Sequence, residues 1–258
     1  MAYQYLEVRV ADGLLDVLIN RPEKRNALSQ DVLAELGQCF RDAASREDLC
    51  VARIRGAGDR CFAAGGDLAE FDRMRSRDDA ARIATHSSAC LDAIRHCPVP
   101  VVACLNGDAL GGGAELAVAC DVRIAAAHAR IAFVQGTMCI APAWGGGSDL
   151  VRLVGGAQAL RLLCRADFVG AGEAESLGLV QARCGAGDEF GAWSDVWLQP
   201  FQARKPQVAR AFKALTRAMA DGATPAARRE LEVARLIETW CHDDHWQAHD
   251  QVLKRITS

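Results

Sequence analysis

The chain predicts an α/β fold, and three observations carry that expectation. Val101–Leu105 is a short apolar run, rich in Val and bounded by Pro100 and Asn106-Gly107, which suits a strand buried on both faces. A second such run, Val51–Ile54, is followed by Gly56-Ala57-Gly58. Segments with apolar residues at helical spacing follow both runs, so strands and helices alternate along the chain.

Taken in order, Leu14–Ile19 reads as a strand, and a helix runs from near Ser29 to about Ser45 with Val32, Leu33, Leu36 and Phe40 on its apolar face. Another strand follows at Leu49. In Cys61-Phe62-Ala63-Ala64-Gly65-Gly66-Asp67-Leu68, small residues precede a helical pattern. Asp79–His96 carries Ile83, Cys90, Leu91 and Ile94 at helical spacing, as a core-packing helix does. After Val101–Leu105 a helix is expected over Gly113–Cys120, and Val122–Ala125 begins a further short strand. From about residue 196 the character changes to helices at Gln207–Ala220 and Pro225–Thr239, the second with Thr224 as N-cap and Pro225 just inside its start. The expected division is therefore a core over 1–195 and a helical region over 196–258. Residues 51–75 and 101–121 form two loosely similar strand–glycine–helix units, with too little identity to establish a repeat.

Composition narrows the function classes. Half of the 258 residues are apolar, and a net charge of -3 gives no basic footprint for nucleic acid. No apolar stretch of spanning length lacks charges, which argues against a membrane partner. Glu7, Arg9, Asp12 and Asp16 break up the first 20 residues, so a secretory signal is not expected and a cytoplasmic location is. No two of the 11 cysteines are closer than seven residues and none forms a C-x-x-C pair, the pattern of reduced core thiols rather than ligands. His242, His245 and His249 share a helix face at metal-ligand spacing, yet with Asp243, Asp244 and Gln247 interleaved they read as a polar face; no metal is expected.

Two loops carry the chemistry. Gly111–Gly113 lie where a strand hands over to a helix N-terminus, with unpaired N–H groups and the positive end of the helix dipole. Glu115, three residues beyond the middle glycine, projects a carboxylate beside whatever the amides hold, or else merely favours the dipole. Gly65-Gly66 offers a second set of amides. Two preorganised N–H donors from different segments suit chemistry that builds charge on a carbonyl oxygen, each worth about 2.7 to 4 kcal/mol of transition-state stabilisation.

The strings NRPEKRNALS from Asn20, FAAGGDL from Phe62 and NGDALGGGAELAVACDVRIA from Asn106 resemble the enoyl-CoA hydratase/isomerase (crotonase) superfamily in order and spacing, over about residues 5 to 190. The resemblance implies a crotonase-like spiral of repeated ββα units, a C-terminal helical region used in trimer assembly, and acyl-CoA thioesters as ligands. It implies an oxyanion hole made by the N–H groups of Gly66 and Gly112. Lys24, Ala27, Leu28, Ala64, Asp67 and Leu68 fall where similar proteins line the adenine and pantetheine pocket. Independently of the resemblance, the loop before the 79–96 helix, with Phe71 and Met74, could cap an acyl pocket. No cofactor beyond the CoA moiety is implied, and the assembly implied is a homotrimer or a hexamer built as a dimer of trimers.

One departure is informative. Where many hydratases of this family carry a Pro-Glu pair, this chain has Val134-Gln135. Glutamine hydrogen-bonds water or a substrate oxygen but transfers no proton near neutral pH, so a two-carboxylate hydration mechanism loses a member, as does an isomerase that relies on it. The segment FVQGTMCIAPAWGGGSDLVRLVG looks closer to members that decarboxylate ethylmalonyl- or methylmalonyl-type CoA esters. Two lyase reactions stay open: hydration with Glu115 as base and then acid, or decarboxylation with Glu115 positioning substrate or relaying a proton and Gln135 orienting the leaving carboxylate. A non-catalytic acyl-CoA-binding homologue is the alternative from another class.

Overall fold

The protein is described here by a computed structural model covering residues 3–256. Strands β1 (Leu6–Ala11) and β2 (Leu14–Ile19) form an antiparallel hairpin whose two-residue turn, Asp12-Gly13, has φ of 50° and 74°. Left-handed values at both turn positions match the twist of the flanking strands. Helix α1 (Gln30–Ala44) starts where Ser29 Oγ accepts from Val32 N, and it buries Val32, Leu33, Leu36 and Phe40 as its periodicity predicts.

Three strand–strand–helix units follow. The first is β3 (Val51–Gly56), β4 (Cys61–Ala63), the single turn α2 (Leu68–Phe71) and α3 (Arg77–Arg95). Next come β5 (Val101–Leu105), β6 (Asp108–Leu110) and α4 (Gly112–Ala119). The third comprises β7 (Val122–Ala125), β8 (Arg130–Ala132) and α5 (Gly146–Arg165), which is broken at Gly155. Each unit gives its first strand to one sheet and its second strand to another, so β3, β5 and β7 are parallel neighbours, as are β4, β6 and β8. This is a spiral of ββα units, the repeat that sequence identity alone did not establish.

The remaining elements close the two sheets. β9 (Val169–Gly170) pairs antiparallel with β8; α6 (Ala171–Ser176) and β10 (Ala182–Arg183) follow, and β10 completes the six-stranded sheet β1-β2-β3-β5-β7-β10. Helices α7 (Phe190–Gln202), α8 (Pro206–Ala220), α9 (Pro225–Trp240) and α10 (Asp243–Ile256) end the chain. The main core fills one face of the large sheet with α1, α3 and α4, while Leu198 of α7 packs on Val51, Val102, Cys104 and Ile124 on the other. β5 is buried along its whole length, as expected of a strand covered on both faces.

All eight residues of α4 are buried, so this helix is a core rod rather than an amphipathic surface element. Its C-terminal end is held by Arg123, 1% exposed, whose guanidinium donates to Cys120 O at 2.8 Å and to Leu179 O at 2.5 Å. Burial pushes that guanidinium down to about 10, yet it stays charged near neutral pH at the negative end of the helix dipole. Lys213 of α8 is anchored on Asp121, which also accepts from Val101 N, and this pair ties the C-terminal helices to the sheet. Among the described residues no helix is long and apolar enough to cross a membrane.

Several strands exceed what the sequence predicts. The expected strand start at Leu49 moves to Val51, and β4, β6, β8 and β9 are strands of two or three residues that no periodicity could flag. His242 precedes α10, while His245 and His249 lie on it in tilted and edge-on ring contacts; His245 sits 4.7 Å from Trp240 and 4.8 Å from Trp246, and His249 5.5 Å from Trp246, centroid to centroid. Among the described residues no group of three His, Cys, Asp or Glu side chains could hold a metal ion.

Candidate active site

The end of β4 and the start of α4 meet backbone to backbone. A Cβ on Gly113 would collide with Ala63 O, so glycine is what lets α4 approach the strand. Gly65 has φ of 97°, and a Cβ there would lie 2.9 Å from Leu110 O and 3.3 Å from Gly112 N. The two glycine loops singled out in the sequence therefore adjoin.

Each loop presents an amide by a different device. Gly112 is the first residue of α4, and its N–H belongs to the first turn, where no intrahelical acceptor exists. Gly66 pairs with Leu28 in a parallel bridge: Leu28 N donates to Gly65 O at 2.8 Å, and Asp67 N to Leu28 O at 3.3 Å. Because neighbouring residues of an extended chain alternate, those bonds turn the Gly66 N–H to the opposite side, away from Leu28. An aromatic ring covers each glycine: a Cβ on Gly66 would meet the Phe71 ring, and one on Gly112 the Trp144 ring.

Glu115 sits on the first turn of α4 and is 2% exposed. Its Oε2 accepts from Trp144 N and from Gly146 N, both at 3.0 Å, and its Oε1 accepts from Gln135 Nε2 at 3.0 Å. Gly145 is the N-cap of α5 and Gly146 its first residue, so the carboxylate occupies the N-terminal end of that second helix. Burial pushes the Glu115 carboxyl above its ordinary value, and the bonds from Trp144, Gly146 and Gln135 hold it back only in part. Gln135 lies in the 3₁₀ turn Val134–Met138 and is 6% exposed. Its Oε1 is buried with no hydrogen-bond partner among the described residues.

The residues proposed for the CoA pocket gather at one place, but most of their backbone is already engaged. Leu28 uses both its N–H and its carbonyl on the Gly65–Asp67 loop; Ala27 N donates to Lys24 O at 3.1 Å, and Ala64 N to Arg25 O at 3.1 Å. The Asp67 carboxylate pairs with Arg21 Nη2 at 3.0 Å, and Arg21 Nη1 reaches Ala27 O at 2.7 Å. Those bonds shape the loop that presents Gly66. Toward solvent the cluster offers the exposed Lys24 side chain and Leu68, which is 59% exposed.

Sequence reasoning missed the amides of Trp144 and Gly146 as partners of Glu115. A signal existed: Gly145-Gly146-Gly147 precedes a helix, as Gly111–Gly113 does. A cleft of about 910 Å³ lies elsewhere, among Asp16, Arg53, Arg55, Asn106 and His128, and contains none of Gly66, Gly112 and Glu115. Within it Asp16 accepts from Arg53 Nε at 2.8 Å and from Arg55 Nη2 at 3.1 Å.

Comparison with known proteins identifies the family and the fold. Residues 9–253 match the family model described as enoyl-CoA hydratase/isomerase. A crotonyl-CoA hydratase of Syntrophomonas wolfei is 37% identical over 180 residues, covering 70% of this chain and 69% of the relative. An ethylmalonyl-CoA decarboxylase of Xenopus laevis is 32% identical over 204 residues, covering 78% and 68%. The crystal structure of an enoyl-CoA hydratase from Bacillus anthracis superposes with a TM-score of 0.91 at 26% identity, covering 98% of this chain and 97% of that one. The protein thus belongs to the enoyl-CoA hydratase/isomerase family.

Proposed function

We propose that this protein is an acyl-CoA lyase that decarboxylates a malonyl-type thioester. The observation that carries this reading is the group facing Glu115 at 3.0 Å, an amide on Gln135 rather than a second acid. Loss of carbon dioxide needs no base to begin: the C–C bond breaks, its electron pair passes into the thioester, and the enolate oxygen rests between the N–H groups of Gly66 and Gly112. A proton must then reach the α-carbon.

Glu115 supplies it. Because Oε2 is filled by two N–H donors, a proton loads on Oε1, the oxygen that faces Gln135. Protonation turns the Gln135 amide round, its carbonyl accepting from Glu115 and its NH₂ group facing the substrate carboxylate. After carbon dioxide leaves, Glu115 gives its proton to the α-carbon and is reloaded from solvent. No cofactor beyond the CoA of the substrate is needed.

Hydration is the second reading, favoured by Gln135 Oε1, a buried acceptor without a partner among the described residues that suits a water proton. Incubation with crotonyl-CoA, ethylmalonyl-CoA and methylmalonyl-CoA separates the readings. Carbon dioxide release from a malonyl-type ester supports the proposal; water addition alone overturns it in favour of hydration, and binding without turnover in favour of a non-catalytic homologue.

Lys24, Ala27, Leu28, Ala64, Asp67 and Leu68 form the proposed CoA-binding edge, with the Lys24 ammonium suited to a phosphate. The proposed assembly is a homotrimer or a dimer of trimers, supported by exposed Leu236, Ile237, Trp240, Trp246 and Ile256 on α9 and α10. Light scattering on the purified protein reads the mass directly, and a monomer overturns this assembly.

A further inference from the structure

We propose that Arg95 is a positioning residue which, with Asp149, holds Trp144 so that both the Glu115 carboxylate and the Gly112 amide stay aligned. The inference rests on Glu115 and Gly112 as the reacting centre and not on which lyase reaction they serve.

Trp144 is the joint. Its N–H donates to Glu115 Oε2 at 3.0 Å, its carbonyl accepts from Arg95 Nη2 at 3.2 Å, and its ring lies where a Cβ on Gly112 would stand. One residue thus touches both halves of the site and is gripped from behind by a cation. Arg95 also donates from Nε to Asp149 Oδ2 at 2.9 Å and from Nη1 to Asp92 at 2.7 Å. Arg95 and Asp149 side chains are 8% and 11% exposed, so the pair is desolvated and its geometry is demanding.

The grip extends along α3. Two turns before Arg95, on the same face, Ser88 Oγ donates to Ala143 O at 3.1 Å. A single helix therefore holds the 143–149 segment at Ala143, Trp144 and Asp149. Gly145 sits in the left-handed region with φ of 90°, and a Cβ there would lie 2.7 Å from Arg95 Nη2. The guanidinium occupies the space that a larger residue would need. Planar and multiply donating, it bonds a carboxylate and a carbonyl at once, which a lysine ammonium does not reproduce with the same geometry.

A buried pair of this kind could serve stability alone, so the test separates the two roles. Three variants are compared: Arg95→Met, which leaves Asp149 with Arg152 Nη2 at 3.4 Å; Arg95→Met with Asp149→Leu, which replaces the buried pair by apolar groups; and Arg95→Lys. Melting temperature, kcat and KM are measured with the thioester that the wild type turns over. The Raman carbonyl band of bound butyryl-CoA is recorded for each folded variant and reports polarisation of the thioester whether or not turnover occurs.

The expected result is a kcat lowered about 10-fold or more with KM within about 3-fold. It is expected in the lysine and double variants, whatever stability they recover, with the carbonyl band moving toward that of free butyryl-CoA. Wild-type kcat and an unmoved band in those two variants would overturn the role. If the wild type turns over none of the three thioesters, the lyase reading fails, while the band still decides the role of Arg95.

Discussion

Gln135 and Glu115, twenty residues apart in sequence, meet through one bond of 3.0 Å from Nε2 to Oε1. In the proposed site this amide takes the position at which the sequence resemblance leads one to expect a second carboxylate. On that reading Glu115 is the titrating group of the proposed centre, and its protonation state decides what the site can do.

Replacing Glu115 by Gln keeps its volume and removes its proton chemistry. Hydration of crotonyl-CoA by the wild type, where present, is expected to vanish, whereas carbon dioxide release from ethylmalonyl-CoA is expected to fall by about 10² and stay measurable, since the enolate can still take a proton from water. Paired assays on the variant check this. Unchanged hydration would remove Glu115 from its role.

The converse substitution, Gln135→Glu, places a second carboxyl against Glu115 in a buried site. Two such groups cannot both ionise freely, so they titrate as a pair, and one of them is expected to hold a proton near neutral pH. Water addition to crotonyl-CoA should rise and decarboxylation fall, read as the ratio of the two rates.

The pH dependence has a sign that separates the mechanisms. Burial raises the Glu115 carboxyl above its ordinary value. Acting as an acid toward the enolate, it must carry its proton, so kcat for decarboxylation is expected to decline as pH rises through that value; acting as a base toward water, it would give the opposite limb. The same shift adds to stability below the ordinary carboxylate range and loses that contribution as pH rises through the raised value. A kcat profile from acid to neutral pH reads the limb.

Arg123 lies at the opposite end of α4 from Gly112 and Gly113. Arg123→Met leaves Cys120 O and Leu179 O without their guanidinium donor, and the expected loss is about 3 kcal/mol. In a chain of this size that corresponds to a fall of about 6 to 12 °C in Tm, which calorimetry measures.

What was legible in the sequence follows from physics. β5 and its glycine triplet could be read because a strand buried on both faces is uniformly apolar and a close helix approach requires glycine. β6 and β8 could not, since three residues carry no period. The N-terminal half of α5 was hidden by its glycines and by the break at Gly155. Arg95 and Asp149 are 54 positions apart, and nothing local to either residue shows that they meet. Gln135 was visible as a departure from a pattern, but its bond to Glu115 belongs to the spiral that brings β8 beside β6.

The central claim is that the amides of Gly66 and Gly112 hold one oxygen. A crystal structure with an ethylmalonyl-CoA analogue that cannot lose carbon dioxide tests it most directly. The account predicts the thioester oxygen at about 2.7 to 3.1 Å from both nitrogens, with the carboxylate mimic beside Gln135. A thioester oxygen bonded to neither amide, or the acyl group seated in the cleft beside Asp16 and Arg53, would contradict it.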